Sequence, residues 1–348
     1  MVRRLLKDFR WGILPVPGRL LAILFFIFLF TLPLITNSAY VMFLCTMAAI
    51  YAIFAASWDL LSGYSGQVNF GHALFFGSAA YSAALLWKYL GWQPWATIPM
   101  GALIGTGIGV VTCFPALRLR PPYLSLLTMA FPIILERIIK SLPETIAGGD
   151  WGIHGLPPLA NSPVESYYIC LALMTISVLI MWKLTDAGSR YIRTGLLFHA
   201  IREDEIAARA TGINTIRYKI LAFAIGGFFA GLAGALFAHF QTLVSTNYFS
   251  LTTSFLAIIW VVFGGIVSIY GAVVGVYVLF ALMDPLRLTP LADYKLLIMT
   301  AFIVLILLFM PEGIAVWIRD KIERQCPRCK LTNGAWRKQC RACSASLH

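Results

Sequence analysis

Four cysteines near the C-terminus carry the plainest chemical signal in this chain. Cys326 and Cys329 form one Cys-x2-Cys pair, Cys340 and Cys343 form another, and ten residues separate the pairs. Two such knuckles enclose a zinc ion tetrahedrally, and four closed thiolate ligands leave no open position for catalysis. The expectation is therefore a structural zinc ribbon in residues 326–343, with redox-active or unstructured thiols as the alternatives. Cys45, Cys113 and Cys170 lie inside apolar runs and read as packing residues.

A second cluster lies in residues 57–81, SWDLLSGYSGQVNFGHALFFGSAAY. Gly63, Gly66, Gly71 and Gly77 crowd it beside the polar Gln67, Asn69 and His72. Glycines at this density bend or break a helix and let backbones approach closely. Polar groups at such a break suit a segment lining a water-filled path. A cytoplasmic turn followed by a glycine-packed helix is the other reading. Gly63, Gly66, Gln67, Asn69, Gly71 and His72 are the candidate path residues.

A third cluster is IREDEIAARATG, from Ile201 to Gly212. It reads as one short amphipathic helix, with Glu205 and Arg209 four apart on one face. Ala207, Ala208 and Gly212 offer a small-residue surface that seats in a cleft of another protein, and Gly212 suits a left-handed helix end. An ordinary solvated helix is the alternative. Enzymatic machinery is otherwise absent from the pattern. No G-x4-G-K-[ST] phosphate loop occurs, nor any Gly-Lys dipeptide, so the chain has no nucleotide cradle of that type. Deep ionisable residues are few: Asp59 near the inner end of one run and Asp284 near the outer end of another, with His239 and Gln241 closing a third. That scarcity argues against a proton-coupled carrier.

The elements that must position these clusters are transmembrane helices. Of the 348 residues, 59% are hydrophobic and 12% charged, where a soluble domain carries about 25% charged residues. Lipid is the solvent for such a surface. Apolar runs centre on residues 20–36, 39–61, 70–90, 95–117, 122–140, 166–184, 218–240, 253–268, 270–286 and 294–311. Runs of this length read as helices rather than barrel strands. The fold class is an all-α polytopic membrane protein of about ten transmembrane helices. Runs eight and nine, separated by three residues, form a tight hairpin or a re-entrant pair.

The net charge of +12 follows membrane orientation and not a nucleic-acid partner. With the N-terminus inside, 22 of the 27 Lys and Arg residues fall on the inner side, as the positive-inside rule requires. N-terminus and C-terminus are both cytoplasmic, and the first run is an uncleaved span and not a signal peptide. The chain divides into a cytoplasmic segment 1–19, a membrane domain 20–315 with an interior cytoplasmic segment 185–217, and a cytoplasmic tail 316–348. The tail's Arg328, Lys330, Arg337, Lys338 and Arg341 face anionic lipid, a partner or water. In the seventh run, Gly226, Ala230 and Gly234, with Gly227, Gly231 and Ala235, recur at the four-residue spacing of close helix packing.

Residues 57–81 resemble the signature of LIV-type permeases, the membrane subunits of branched-chain amino-acid ABC importers. The resemblance covers roughly residues 40–315. It includes RLRPPYLSLLTMAF from Arg118, GGDWGIHGLPPL from Gly148, and HAIREDEIAARATGINTIRYKILAF from His199 followed by GGFFAGLAGALFAH. Val267 and Ala272 stand where the family tends to carry glycine and proline, and Val-Asn-Phe follows Gln67 in place of the usual Ser/Leu; these departures bear on the substrate. The resemblance implies an inner (plasma) membrane permease without enzymatic activity of its own. It pairs with a second homologous permease and receives substrate from an extracytoplasmic binding protein. Two ATPase subunits would drive it, so ATP enters only through partners, docking at Glu203, Asp204, Glu205, Ala207, Ala208 and Gly212. A urea or short-amide permease of the same family, and a membrane-anchored zinc-ribbon regulator, are the competing functions.

Overall fold

The computed structural model describes residues 17–348 except 37, 118, 120, 150, 187–192, 285–293, 328–331, 338, 341, 342, 344, 345, 347 and 348. Each of the ten apolar runs falls on a helix. In chain order these are α1 (Pro17–Ile35), α2 (Ala39–Trp58), α3 (Ala73–Leu90), α4 (Pro94–Ala116), α5 (Pro121–Ser141), the short α6 (Glu144–Ala147) and α7 (Pro163–Thr185). Two small helices follow, α8 (Thr194–Glu203) and α9 (Glu205–Ala210). Then come α10 (Thr215–Gln241), α11 (Leu251–Gly264), α12 (Ile269–Met283), α13 (Lys295–Phe309) and α14 (Ile314–Ile322).

Among the described residues, four helical segments are long and apolar enough to cross a bilayer: Ala39–Tyr64, Pro94–Pro115, Pro163–Thr185 and Thr215–Gln241. The α11–α12 pair makes a fifth if counted as one broken span, since it bends by 106°. The sharp turn expected between runs eight and nine is thus present. Gly265 at φ 121° and Val267 at φ 61° turn the chain there.

The centre of the bundle is α2. Ala49, Ile50, Ala52, Ile53, Phe54, Ala55 and Ala56 are wholly buried, because an alanine-rich helix lets neighbours approach on every side. Leu103, Val111, Leu126 and Leu308 lie exposed on the outer helices, where acyl chains replace water as their surroundings.

Glycine sets the closest contact, between α4 and α10. A Cβ on Gly105 would stand 2.4 Å from the Gly227 carbonyl oxygen, and one on Gly109 2.4 Å from that of Phe223. The four-residue spacing in α10 is therefore a packing device, and Gly101, Gly105 and Gly109 of α4 are its counterpart. On the other face of α10, Gly234 abuts the Phe76 backbone of α3 and Gly226 the Leu61 side chain.

β1 (Ile153–His154) pairs antiparallel with β2 (Leu243–Val244), joining the loop after α6 to the loop after α10. The end of α2, the α11–α12 turn and α8 converge elsewhere in the bundle. In the tail, β3 (Glu323–Gln325) pairs with β4 (Thr332–Gly334).

Candidate functional site

The glycine-rich stretch breaks the helix as expected. The last turn of the second span, Asp59–Tyr64, is wound as a π-helix, and the chain then runs without regular structure to His72 before α3 begins. A break inside a bundle leaves backbone groups without ladder partners, and each must be satisfied locally. The polar side chains do this. Asn69 Oδ1 accepts from the Gly71 N–H at 2.8 Å, the Asn69 N–H donates to Ser62 Oγ at 3.1 Å, and Trp58 Nε1 donates to the Asn69 carbonyl at 2.6 Å. His72 Nε2 pairs with Ser57 Oγ at 2.8 Å and its Nδ1 faces Asn69 Nδ2 at 3.4 Å.

Neighbouring helices lock the same segment. The Phe70 N–H donates to Thr128 Oγ1 of α5 at 3.1 Å, and the Ala73 N–H to Ser254 Oγ of α11 at 2.9 Å. Gly71 lies against the Thr128 carbonyl, with no space for a Cβ. Asn69, Gly71 and His72 are buried, while Gly66 and Gln67 are half-exposed. Gly66, at φ 71°, brings the break against the Arg202 backbone at the end of α8, 3.2 Å from the place of a Cβ.

The segment between α7 and α10 corrects one expectation. IREDEIAARATG is two helices and not one, because Asp204 takes an extended conformation between α8 and α9. Its side chain caps α9, Oδ1 accepting from the Ile206 and Ala207 N–H groups at 2.8 and 3.0 Å. Glu203 closes the preceding helix. Glu205 bonds Arg209 at 2.8 Å, as its spacing predicts, and also Lys219 at the base of α10 at 2.7 Å. Burial acts to raise the Glu205 pKa, but the Lys219 hydrogen bond and both cations outweigh it and hold the carboxyl below its usual range. Gly212 ends the segment at φ 87°.

The faces divide sharply. Ala208 is buried against the bundle, whereas Ala207 and Gly212 face outward with Ile206, which is 82% exposed. Ile206 is an exposed apolar residue that small-residue spacing does not reveal. An isoleucine one position after Glu205, outside the Glu205–Arg209 face, was the available signal. On α8, burial and the nearby Arg202 charge keep His199 below the usual imidazole range despite Glu203, and its ring meets that of Tyr64 edge-on at 5.5 Å.

The break thus touches the capped α8–α9 helix pair at Gly66 and Arg202. The profile of the family described as branched-chain amino acid transport system / permease component matches residues 40–307. This chain belongs to that family. The Escherichia coli high-affinity branched-chain amino acid transport system permease protein LivM is 29% identical over 84% of this chain and 72% of its own length. LivH of the same organism is 27% identical over 77% of this chain and 92% of its own. A probable LivH of Methanocaldococcus jannaschii is 24% identical over 61% and 69%. No solved structure matches significantly. The chain is a multi-pass permease subunit of the inner membrane.

The permease's cysteine tail lies beyond the family match. Cys326, Cys340 and Cys343 bring their sulfurs within 4.8 Å of one another, Cys326 and Cys343 at 3.5 Å. Thiolates around tetrahedral zinc at about 2.3 Å stand roughly 3.8 Å apart, so the three fit a shared ion. Asn333 Nδ2, itself buried, donates to Cys340 Sγ at 3.6 Å, the kind of outer contact that orients a ligand. Cys329 lies outside the described residues.

Other polar candidates in the permease have structural partners. His239 is fully buried between Thr97 Oγ1 at 2.6 Å and the Pro157 carbonyl at 2.9 Å, and Tyr40 donates to Asp284. Gln241 Nε2 meets the Met47 sulfur at 3.4 Å.

Proposed function

We propose that this permease and a second, homologous permease chain together form the path of an ABC importer for branched-chain, apolar amino acids. Two separate ATPase subunits supply hydrolysis, and an extracytoplasmic binding protein delivers the cargo. The permease catalyses no bond chemistry. The likeness to LivM and LivH, both permeases of a branched-chain amino acid transport system, supports the substrate class and the pairing of two permeases.

The path follows the broken segment, with Gly63, Gly66, Gln67, Asn69, Gly71 and His72 shaping its wall, mainly through backbone made available by glycine. An apolar zwitterion suits it, since few charged groups lie deep in the bundle. The coupling surface is built on Glu203, Asp204, Glu205, Ala207, Ala208 and Gly212. Ala207 and Gly212 meet the ATPase, and the others hold α9 in place. In the tail, Cys326, Cys329, Cys340 and Cys343 hold a structural zinc.

One observation carries this reading: Gly66 of the break packs directly on Arg202 of the cytoplasmic helix pair, so a push on α9 has a short route to the path. The test is uptake by proteoliposomes holding both permeases, the ATPases and the binding protein. Labelled leucine should accumulate with ATP and labelled urea should not. Urea accumulation without leucine would move the permease to the short-amide class. Accumulation of neither by an assembled complex would sink the proposal.

A further inference from the structure

Asp59 is fully buried in the π-wound turn, where an uncompensated carboxylate would be very costly. Its two oxygens accept from two consecutive backbone groups on another element, the Val267 and Ser268 N–H groups, each at 2.8 Å. These belong to the turn between α11 and α12. Val267 is a β-branched residue at φ 61°, a region such side chains avoid, and the carboxylate grips that residue's N–H. Asp59 thus serves as a remote cap for α12, beside the local cap from Ser268 Oγ to the Gly271 N–H at 3.1 Å.

The turn around Asp59 is shaped for this grip. A Cβ on Gly63 would lie 2.0 Å from Asp59 Oδ1 and 3.2 Å from the Val267 nitrogen, so glycine is what lets the carboxylate pass. One residue on, the Tyr64 hydroxyl faces the Thr185 side chain and the Ile269 backbone, while its ring meets His199 of α8. Arg202 of α8 stands within electrostatic reach of Asp59. Arg202 and Val267 also line a common cavity of about 310 Å³, with Ile266, Glu312 and Val316. π-Helical turns are rare and are frequently found at functional sites.

We propose that the Asp59–Tyr64 turn is the joint through which the cytoplasmic segment moves the bent α11–α12 pair, with Asp59 as its positioning residue. The proposal rests on the reading that an ATPase docks on α9. One end of the joint is Gly66 and Tyr64 against α8; the other is Asp59 on residues 267 and 268.

The test compares variants with wild type in proteoliposomes of the complete importer, reading leucine uptake, ATP hydrolysis and retention of the ATPase subunits. Asp59→Asn keeps the side chain's size, but its amide presents only one acceptor to the two N–H groups. Uptake should fall at least tenfold, while hydrolysis and subunit retention stay within about twofold of wild type. Uptake and hydrolysis falling in proportion, or wild-type uptake, would overturn the proposal.

A merely structural role is separated by adding Val267→Gly, which takes the left-handed turn without strain. If Asp59 only steadies the turn, uptake returns in the double variant and the joint is refuted; if Asp59 transmits motion, thermal stability recovers and uptake does not. Should Asp59→Asn fail to assemble, Tyr64→Phe removes only the hydroxyl facing Ile269 and Thr185. It should raise ATP consumed per leucine about threefold, and an unchanged ratio would refute the joint. A wild-type importer that took up no leucine would instead count against the function itself, since the joint is read only from the ratio of variant to wild type.

Discussion

Gly105 and Gly107 sit two residues apart on α4, yet alanine should act on them in opposite directions. A Cβ at 105 would lie 2.4 Å from the Gly227 oxygen and 2.9 Å from the Gly231 Cα, both backbone atoms, while one at 107 would meet nothing within 4 Å. Ordinary contact begins near 3.4 Å, so Gly105→Ala must part the two helices by about 1 Å, with no side chain able to yield. Overpacking of that kind costs about 1–3 kcal/mol. Gly107→Ala faces outward and gains helix propensity of up to about 1 kcal/mol. Both variants share that propensity gain, so the gap between them is the overpacking cost, about 1–3 kcal/mol. Thermal unfolding of the detergent-purified permease, followed by fluorescence-detected size exclusion, should order them Gly107→Ala, wild type, Gly105→Ala. Equal stability of the two variants would refute the claim that glycine at 105 is required by backbone contact.

Three further outcomes are expected. Asp204→Ala leaves the Ile206 and Ala207 N–H groups without their cap, costing about 0.5–2 kcal/mol locally and raising amide exchange across residues 205–210; unchanged exchange would contradict it. Glu205 titrates lower in the folded permease than unfolded, so the unfolded state binds more protons in that window and stability rises with pH there. The Glu205 contribution is thus complete above the ordinary value of 4.5 and is lost as pH falls through the lower folded value, which a Glu205→Gln variant, with a flatter acid limb, should reveal. Cys340→Ser should remove the zinc measured by metal analysis of the purified permease, whereas Cys113→Ser, buried in α4, should leave it unchanged.

The sequence made the helices legible because lipid demands long apolar runs, and all ten coincide with helices. The small-residue spacing of α10 was equally plain, since four-residue periodicity has one geometric meaning. Asp59 showed its place at the inner end of α2 but not its task, because its partners are 208 and 209 positions away. The break at Asp204 was hidden for another reason: Glu203 and Glu205 fit a helix, and an aspartate between them reads as a helical residue as readily as a cap. Ala208 and Ala207 are alike in sequence, and only the packing of α9 decides which turns inward. His72 and Asn69 read as path-lining groups; the Asn69 side chain also accepts from the Gly71 N–H within the break, while His72 pairs with the Ser57 and Asn69 side chains.

The outer ladder has its own consequence. Ile153 pairs with Val244, the Gly155 N–H donates to the Thr242 carbonyl at 3.1 Å, and Pro157 accepts from His239. A loop stapled at three successive points is held firmly, with Trp151 standing 80% exposed upon it. Little freedom is left there to surrender, so any contact made on this surface would cost little in ordering.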